Sequence, residues 1–297
     1  MSGSTIAFAG ARIDRADAVR SDPAALEALM DWRARLLKLD GLDPEIGPDG
    51  GLVWGTLADA DPASEIVFLG LLDGRGHFAE VQPKVGGSVA TANPRLWQAM
   101  AAMESEDLAI YGAARSLIDW HARHRFCAKS GHPTKLTKGG WQRSCSDVGC
   151  GAEHFPRVDP VTIMLVEHGG QLLLGRQPRF PARRFSALAG FIEPGESVEE
   201  AVAREIFEEA GVRVRDVSYV ASQPWPFPSS LMIGCHSHTD DPALTIDTNE
   251  LDEARWFTRA EVAEAMATGA AGGEGAAFIA PPRHAVAHHL LKWWLEQ

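Results

Sequence analysis

The chain has 297 residues, 45% of them hydrophobic and 23% charged, with a formal net charge of −12. That is a globular composition long enough for two units, and the acidic balance argues against a general nucleic-acid binder. No run reaches the apolar length of a membrane span, and the first ten residues lack a basic start followed by a long apolar core, so a cytoplasmic location is expected.

Between Thr5 and about Arg125, the pattern predicts a helix around Ala24 to Leu37 and a strand over Ile66 to Leu72. A turn at Asp73-Gly74-Arg75-Gly76 then leads into His77-Phe78-Ala79. No catalytic constellation stands out in this part. Leu108 to His124 reads as an amphipathic helix; His121 and His124 at its basic end, like His288 and His289 later, are expected to be structural or solvated. Cys127, Cys145 and Cys150, three of the four cysteines, then fall in one short window. In a cytosolic chain such clustering points to a metal rather than to disulfides, and Cys235 reads as a core residue.

Val161 to Val166 and Leu172 to Gly175 are predicted strands around a hairpin at His168-Gly169-Gly170, and Ser186 to Gly190 is a further strand. Next comes Gly190-x5-Glu196-x7-Arg204-Glu205-Ile206-x-Glu208-Glu209-x-Gly211-Val212. Ser197 with Glu200 forms a capping box and Gly211 a stop, so Val198 to Ala210 should be helix. Glu205, Glu208 and Glu209 then share one face, while Val198, Val202 and Ile206 form an apolar row on another. Three carboxylates so close repel, and a hard cation, Mg2+ or Mn2+, relieves that repulsion. Glu196 is placed to pair with Arg204. A solvated acidic face would not require the glycines, the lone arginine and this spacing together.

After the apolar stretch Val217 to Ala221, the prolines of Ser222-Gln223-Pro224-Trp225-Pro226-Phe227-Pro228-Ser229-Ser230 forbid helix and fix an extended loop. Such a loop can present Trp225 and Phe227 to flat bases, with Gln223 and Ser230 as hydrogen-bonding groups; the alternative is a stiff loop that only packs on the sheet. Asn249-Glu250-Leu251, with Asp252 and Glu253 beside it, precedes Trp256-Phe257. Gly269 to Gly275 reads as a flexible insertion, and Ala280-Pro281-Pro282-Arg283 starts a terminal helix.

The acidic array resembles the signature of the Nudix hydrolases, with every fixed position of that box present, and the proline string resembles the SQPWPFPxS array of their NADH pyrophosphatase branch. The resemblance implies an α+β protein. Its expected parts are a supporting or dimerising N-terminal α/β domain over 1–125, a degenerate zinc-ribbon-like segment over 126–156 and a catalytic Nudix αβα sandwich over 157–297. Phe68-Leu69-Gly70 and Asp73-Gly74-Arg75 resemble the N-terminal domain of that branch. Relatives carry two Cys-x-x-Cys pairs in the ribbon, whereas this chain has Ser130 at one ligand position and a longer spacing between Cys145 and Cys150. A four-cysteine site is therefore excluded. A zinc site remains if His132 joins Cys127, Cys145 and Cys150; otherwise the ribbon persists without metal, held by Trp141 and Phe126.

By the same resemblance Glu205, Glu208, Glu209 and Glu250 would hold Mg2+ or Mn2+, with Glu209 the foremost general base. Phe155, Phe191, Gln223, Trp225, Ser230 and Ala287 would meet the substrate. The implied activity is cleavage of the pyrophosphate of NADH or NAD into NMN(H) and AMP, by a homodimer with no membrane partner. One alternative is removal of an NAD cap from RNA, for which Arg176, Arg179, Arg183 and Arg184 are the only basic tract near the box. Another is a non-catalytic nucleotide sensor, which would not need an intact carboxylate set.

Overall fold

The computed structural model describes residues 6–81, 94–269 and 275–297; most of the predicted insertion at Gly269 to Gly275 lies outside them. The chain forms two compact units. One comprises Phe8–Val158 and Trp225–Ser229; the other comprises Asp159–Pro224 and Ser230–Gln297 with the start of the chain to Ala7.

In the first unit, a four-stranded sheet runs in the order Trp54–Gly55, Arg35–Leu37, Arg75–Val81, Glu65–Leu72. Its core gathers Ala34, Leu36, Phe68 and Phe78. The helix expected over Ala24 to Leu37 is much shorter, Pro23–Ala28, and the last three residues of that stretch, Arg35–Leu37, are a strand. Asp22 caps it by accepting from the Ala24 and Ala25 amides. Asp31 takes the Arg33 amide at 2.8 Å, a local turn that competes with helix, and Arg35–Leu37 then pairs parallel to His77–Ala79. The Ser105–Arg123 helix follows its predicted course. A three-stranded sheet, Thr134–Thr137, Gln142–Cys145 and Glu153–His154, carries the cysteine region. Behind it Arg143, 1% exposed, donates to Glu65 at 2.8 and 3.0 Å and contacts His121 at 2.8 Å. His121 is thus structural: its other nitrogen lies 2.7 Å from the Gly140 carbonyl, and burial brings it down to about 4.

The second unit is a six-stranded sheet ordered Arg215–Trp225, Ser230–His238, Asp159–His168, Gln171–Arg176, Glu253–Thr258, with Leu188–Phe191 also paired to Asp159–His168. Because successive strand residues point to opposite faces, the central strand feeds two cores. Ile163 and Leu165 join Leu172, Leu174 and residues of the helices Arg259–Thr268 and Val286–Leu295 on one face. Met164 and Val166 join Leu173, Val202 and Ile206 on the other. The result is helix, sheet, helix. The Val198–Ala210 helix is therefore seated on the sheet by one side and keeps its acidic side for other work.

Candidate active site

The local signals of the acidic segment all appear in its geometry. Ser197 accepts from the Glu200 amide at 3.2 Å while Glu200 accepts from the Ser197 amide at 2.7 Å. Gly211 closes the helix at φ 72°, a left-handed conformation that favours glycine, with its N–H donating to the Phe207 carbonyl at 2.9 Å. Val202 and Ile206 are fully buried. Each such burial contributes roughly 1.5–3 kcal/mol toward seating the helix on the sheet.

Arg204 organises the acids. It donates to Glu196 at 2.5 and 2.8 Å, to Glu205 at 2.8 Å, to Glu208 at 3.0 Å and to the Phe191 carbonyl at 2.9 Å. Arg204, helped by the Glu193 amide, holds the Glu196 carboxyl down to about 2. The loop before the helix and the helix itself are locked together by this fork. A further close approach joins the Leu188–Phe191 strand to the same helix, where Gly190 leaves the space that the Glu205 carboxyl fills.

Glu209 differs from its neighbours. It is 3% exposed, and its Oε2 has no hydrogen-bond partner. Burial first, then the charges of Glu205 and Glu250, push it up to about 8. Burial also raises Glu205, with Glu208 and Glu250 adding to the rise and Arg204 opposing it. Glu250 thus belongs to this electrostatic group. Its two competitors are placed otherwise. Asp252 pairs with Arg176 at 2.9 Å, and Glu253 begins the strand beside Arg176. The loop carrying Glu250 hangs from the end of the helix: the Thr245 amide donates to the Ala210 carbonyl at 2.8 Å and the Asp247 amide to that of Glu209 at 3.0 Å.

A divalent cation fits these residues. The buried Glu209 Oε2 has no donor and feels the charges of Glu205 and Glu250, and the Glu205 carboxyl lies in the space that a β-carbon at 190 would fill; such a group calls for positive charge.

The cysteine region gives a second donor set. The thiols of Cys127, Cys145 and Cys150 lie within 4.8 Å of one another. His132 does not join them: its Nδ1 is 3.3 Å from the Ser130 hydroxyl and 3.8 Å from Asp147. A different imidazole, that of His154, stands beside one of the thiols, with Nε2 3.3 Å from the Cys127 sulfur. Ser130, facing Cys145 at 3.3 Å, stands by the thiols as a hydroxyl. His154 escaped notice because it lies 27 residues from Cys127 and reaches it only through the strand pairing of Glu153–His154.

Comparison with known proteins finds a match for each of the two segments. A NUDIX domain model matches residues 156–274, and a model of the NADH pyrophosphatase zinc ribbon domain matches residues 122–155. The Mycobacterium bovis NAD-capped RNA hydrolase NudC is 42% identical over 266 residues, which cover 86% of this chain and 83% of that protein. The chain belongs to the Nudix hydrolases. The human NAD-capped RNA hydrolase NUDT12 is 45% identical over 205 residues, 66% of this chain but only 44% of the human protein, so the match spans under half of that relative. A NUDIX hydrolase structure from Nitrosomonas europaea aligns with a TM-score of 0.44 at 24% identity, covering 58% of this chain and 90% of that one.

Within this Nudix hydrolase the residues expected to meet substrate are placed unequally. Phe155 and Phe191 are 61% and 60% exposed, large apolar rings open to solvent. Ser230 is partly exposed at the start of its strand. The expectation for Gln223 changes, because its side chain is buried and committed. Nε2 donates to the Ala7 and His284 carbonyls, and Oε1 accepts from the Val286 amide at 2.9 Å, which anchors the start of the terminal helix. Ala287 is 2% exposed, with its methyl in the hydrophobic core. Phe227 is buried too, beneath the Arg115 guanidinium at 4.7 Å, and Trp225 packs against Phe8 and Trp97, each at 5.8 Å between ring centroids. The rings of the proline loop serve an aromatic cluster, with Trp225 retaining part of its surface.

Proposed function

We propose that this Nudix hydrolase cleaves the pyrophosphate bond of NADH or NAD, giving NMN(H) and AMP. The observation that carries the proposal is the buried, unpartnered Glu209 oxygen set among Glu205, Glu250 and the Arg204 fork. Glu205, Glu208, Glu209 and Glu250 would hold Mg2+ or Mn2+, which when bound neutralises phosphate charge and acidifies water. Glu209 takes the proton of the attacking water. The water oxygen bonds to one phosphorus, and the bridging oxygen departs with the other phosphate. Arg204 keeps Glu205 and Glu208 in place, and the exposed ring of Phe191 offers a face for a base. In the ribbon, Cys127, Cys145, Cys150 and His154 would hold Zn2+. Homodimer formation and a cytoplasmic location come with the family resemblance.

The names of the relatives favour a second substrate for the same chemistry, an NAD cap on RNA. The arginine tract gives it little support here: Arg176 is paired with Asp252, Arg179 donates to Gln177 at 2.8 Å, and Arg183 donates to the Ala276 carbonyl. The deciding experiment incubates the protein with NADH and Mg2+, then with Mn2+, separates the products by chromatography, and runs Glu209→Gln and NAD-capped RNA beside it. Release of NMNH and AMP by the unaltered chain alone is the expected result. Absence of cleavage with either metal would sink the dinucleotide assignment, and faster turnover of capped RNA would make RNA the primary substrate.

A further inference from the structure

On the sheet face opposite the Glu-bearing helix, Glu167, His236 and His238 bring a carboxylate oxygen and two imidazole nitrogens within 4.8 Å of one another. Their convergence follows from register. Asp159–His168 and Ser230–His238 run parallel, with Leu165 beside His236 and Glu167 beside His238. His236 and His238 are two apart on a strand and so share the face of Glu167. That face is the one on which Leu165 packs with Leu290 and Trp294 of the terminal helix, whereas Met164 and Cys235 face the catalytic helix.

We propose that this trio is a binding site for one divalent transition-metal ion of the zinc type, separate from the catalytic carboxylates and from the cysteine cluster. Two imidazoles and one carboxylate are a borderline donor set that suits Zn2+ better than Mg2+, and three protein ligands leave a position for water. His236 Nε2 and Glu167 Oε2 stand 3.0 Å apart. Ligands about 2.1 Å from a shared ion lie roughly 3.4 Å apart in a tetrahedral site, so the pair can exchange its proton for a metal by opening a few tenths of an ångström. His238 Nδ1 is buried without a partner. The Trp294 indole donates to Glu167 Oε2 at 2.8 Å, an outer hydrogen bond of the kind that orients a ligating carboxylate. The Glu167 side chain keeps 22% of its surface exposed, which gives an ion a way in. A bound ion would tie both strands to Trp294 and so fasten the terminal helix to the sheet.

The test loads the full chain with Zn2+, then with Co2+, in excess Mg2+ to occupy the box carboxylates, and measures metal retained per chain after desalting. His236→Gln/His238→Gln is expected to retain one metal ion fewer than the unaltered chain while its thiolate-to-cobalt absorption stays unchanged. Glu167→Gln keeps an acceptor for Trp294 and removes the anionic ligand. It should weaken retention by more than the roughly 10–100-fold that loss of an outer partner costs. Equal metal in the unaltered chain and both variants would overturn the proposal and leave a hydrogen-bond network.

Discussion

A β-carbon on Gly190 would sit 1.9 Å from the carboxyl carbon of Glu205. The obstacle is the far end of a side chain, so Gly190→Ala has a way out: the fold yields by turning Glu205 away. The variant should melt within a few degrees of the unaltered protein, a shift of about 1 kcal/mol or less. Its hydrolysis rate should fall about 100-fold through loss of a metal ligand. A large loss of stability with activity preserved in the folded fraction would contradict this.

Glu209→Gln should separate stability from activity in the opposite sense. Hydrolysis is expected to drop by about 10²–10⁴-fold if the carboxylate is the base. Metal-free stability should rise at alkaline pH. Because the folded-state value is raised to about 8, the native protein holds a proton that the unfolded chain releases above its ordinary carboxylate range. This group's contribution is therefore complete below about pH 4.5 and is lost as pH climbs through about 8. Urea unfolding in chelator at about pH 8.5 should show the glutamine variant more stable by about 2 kcal/mol, and little difference near pH 4.

Arg204→Lys keeps the charge and removes the fork. One ammonium cannot span Glu196, Glu205, Glu208 and the Phe191 carbonyl together, so activity should fall about 10–100-fold. Glu196 is held down to about 2, so its contribution is present above the ordinary carboxylate value and is lost as pH falls toward 2. That acid dependence should be shallower in the lysine variant, as read by unfolding at about pH 3 and about pH 6.

His154 and His132 make opposite predictions in the ribbon. His154→Ala should lower zinc retention and change the Co2+ spectrum of the thiolate site, while His132→Ala should leave both as they are. The reverse pattern would restore His132 to the ligand set.

What could be read without coordinates was local. The Val198–Ala210 helix was legible because its cap, its stop and its apolar row are encoded within three or four residues of one another. The Asp73-Gly74 and Gly169-Gly170 hairpins were legible for the same reason. Contacts over long separations were not. Arg35–Leu37 is a strand because His77–Ala79 lies beside it, and no helical propensity could reveal that. Gln223 looked like a free hydrogen-bonding group because its partners, Ala7, His284 and Val286, are 216, 61 and 63 residues away. His236-Ser237-His238 did carry a readable signal, an alternation that puts both imidazoles on one face, but Glu167 had to be brought beside it by the parallel register.

The two amides that tether the Glu250 loop, those of Thr245 and Asp247, grip the last turn of the helix at the carbonyls of Ala210 and Glu209. Unwinding that turn would release Glu209 and Glu250 in the same event. Cation affinity should therefore fall as that single turn frays, before the sheet beneath it melts, while Arg204 still holds Glu205.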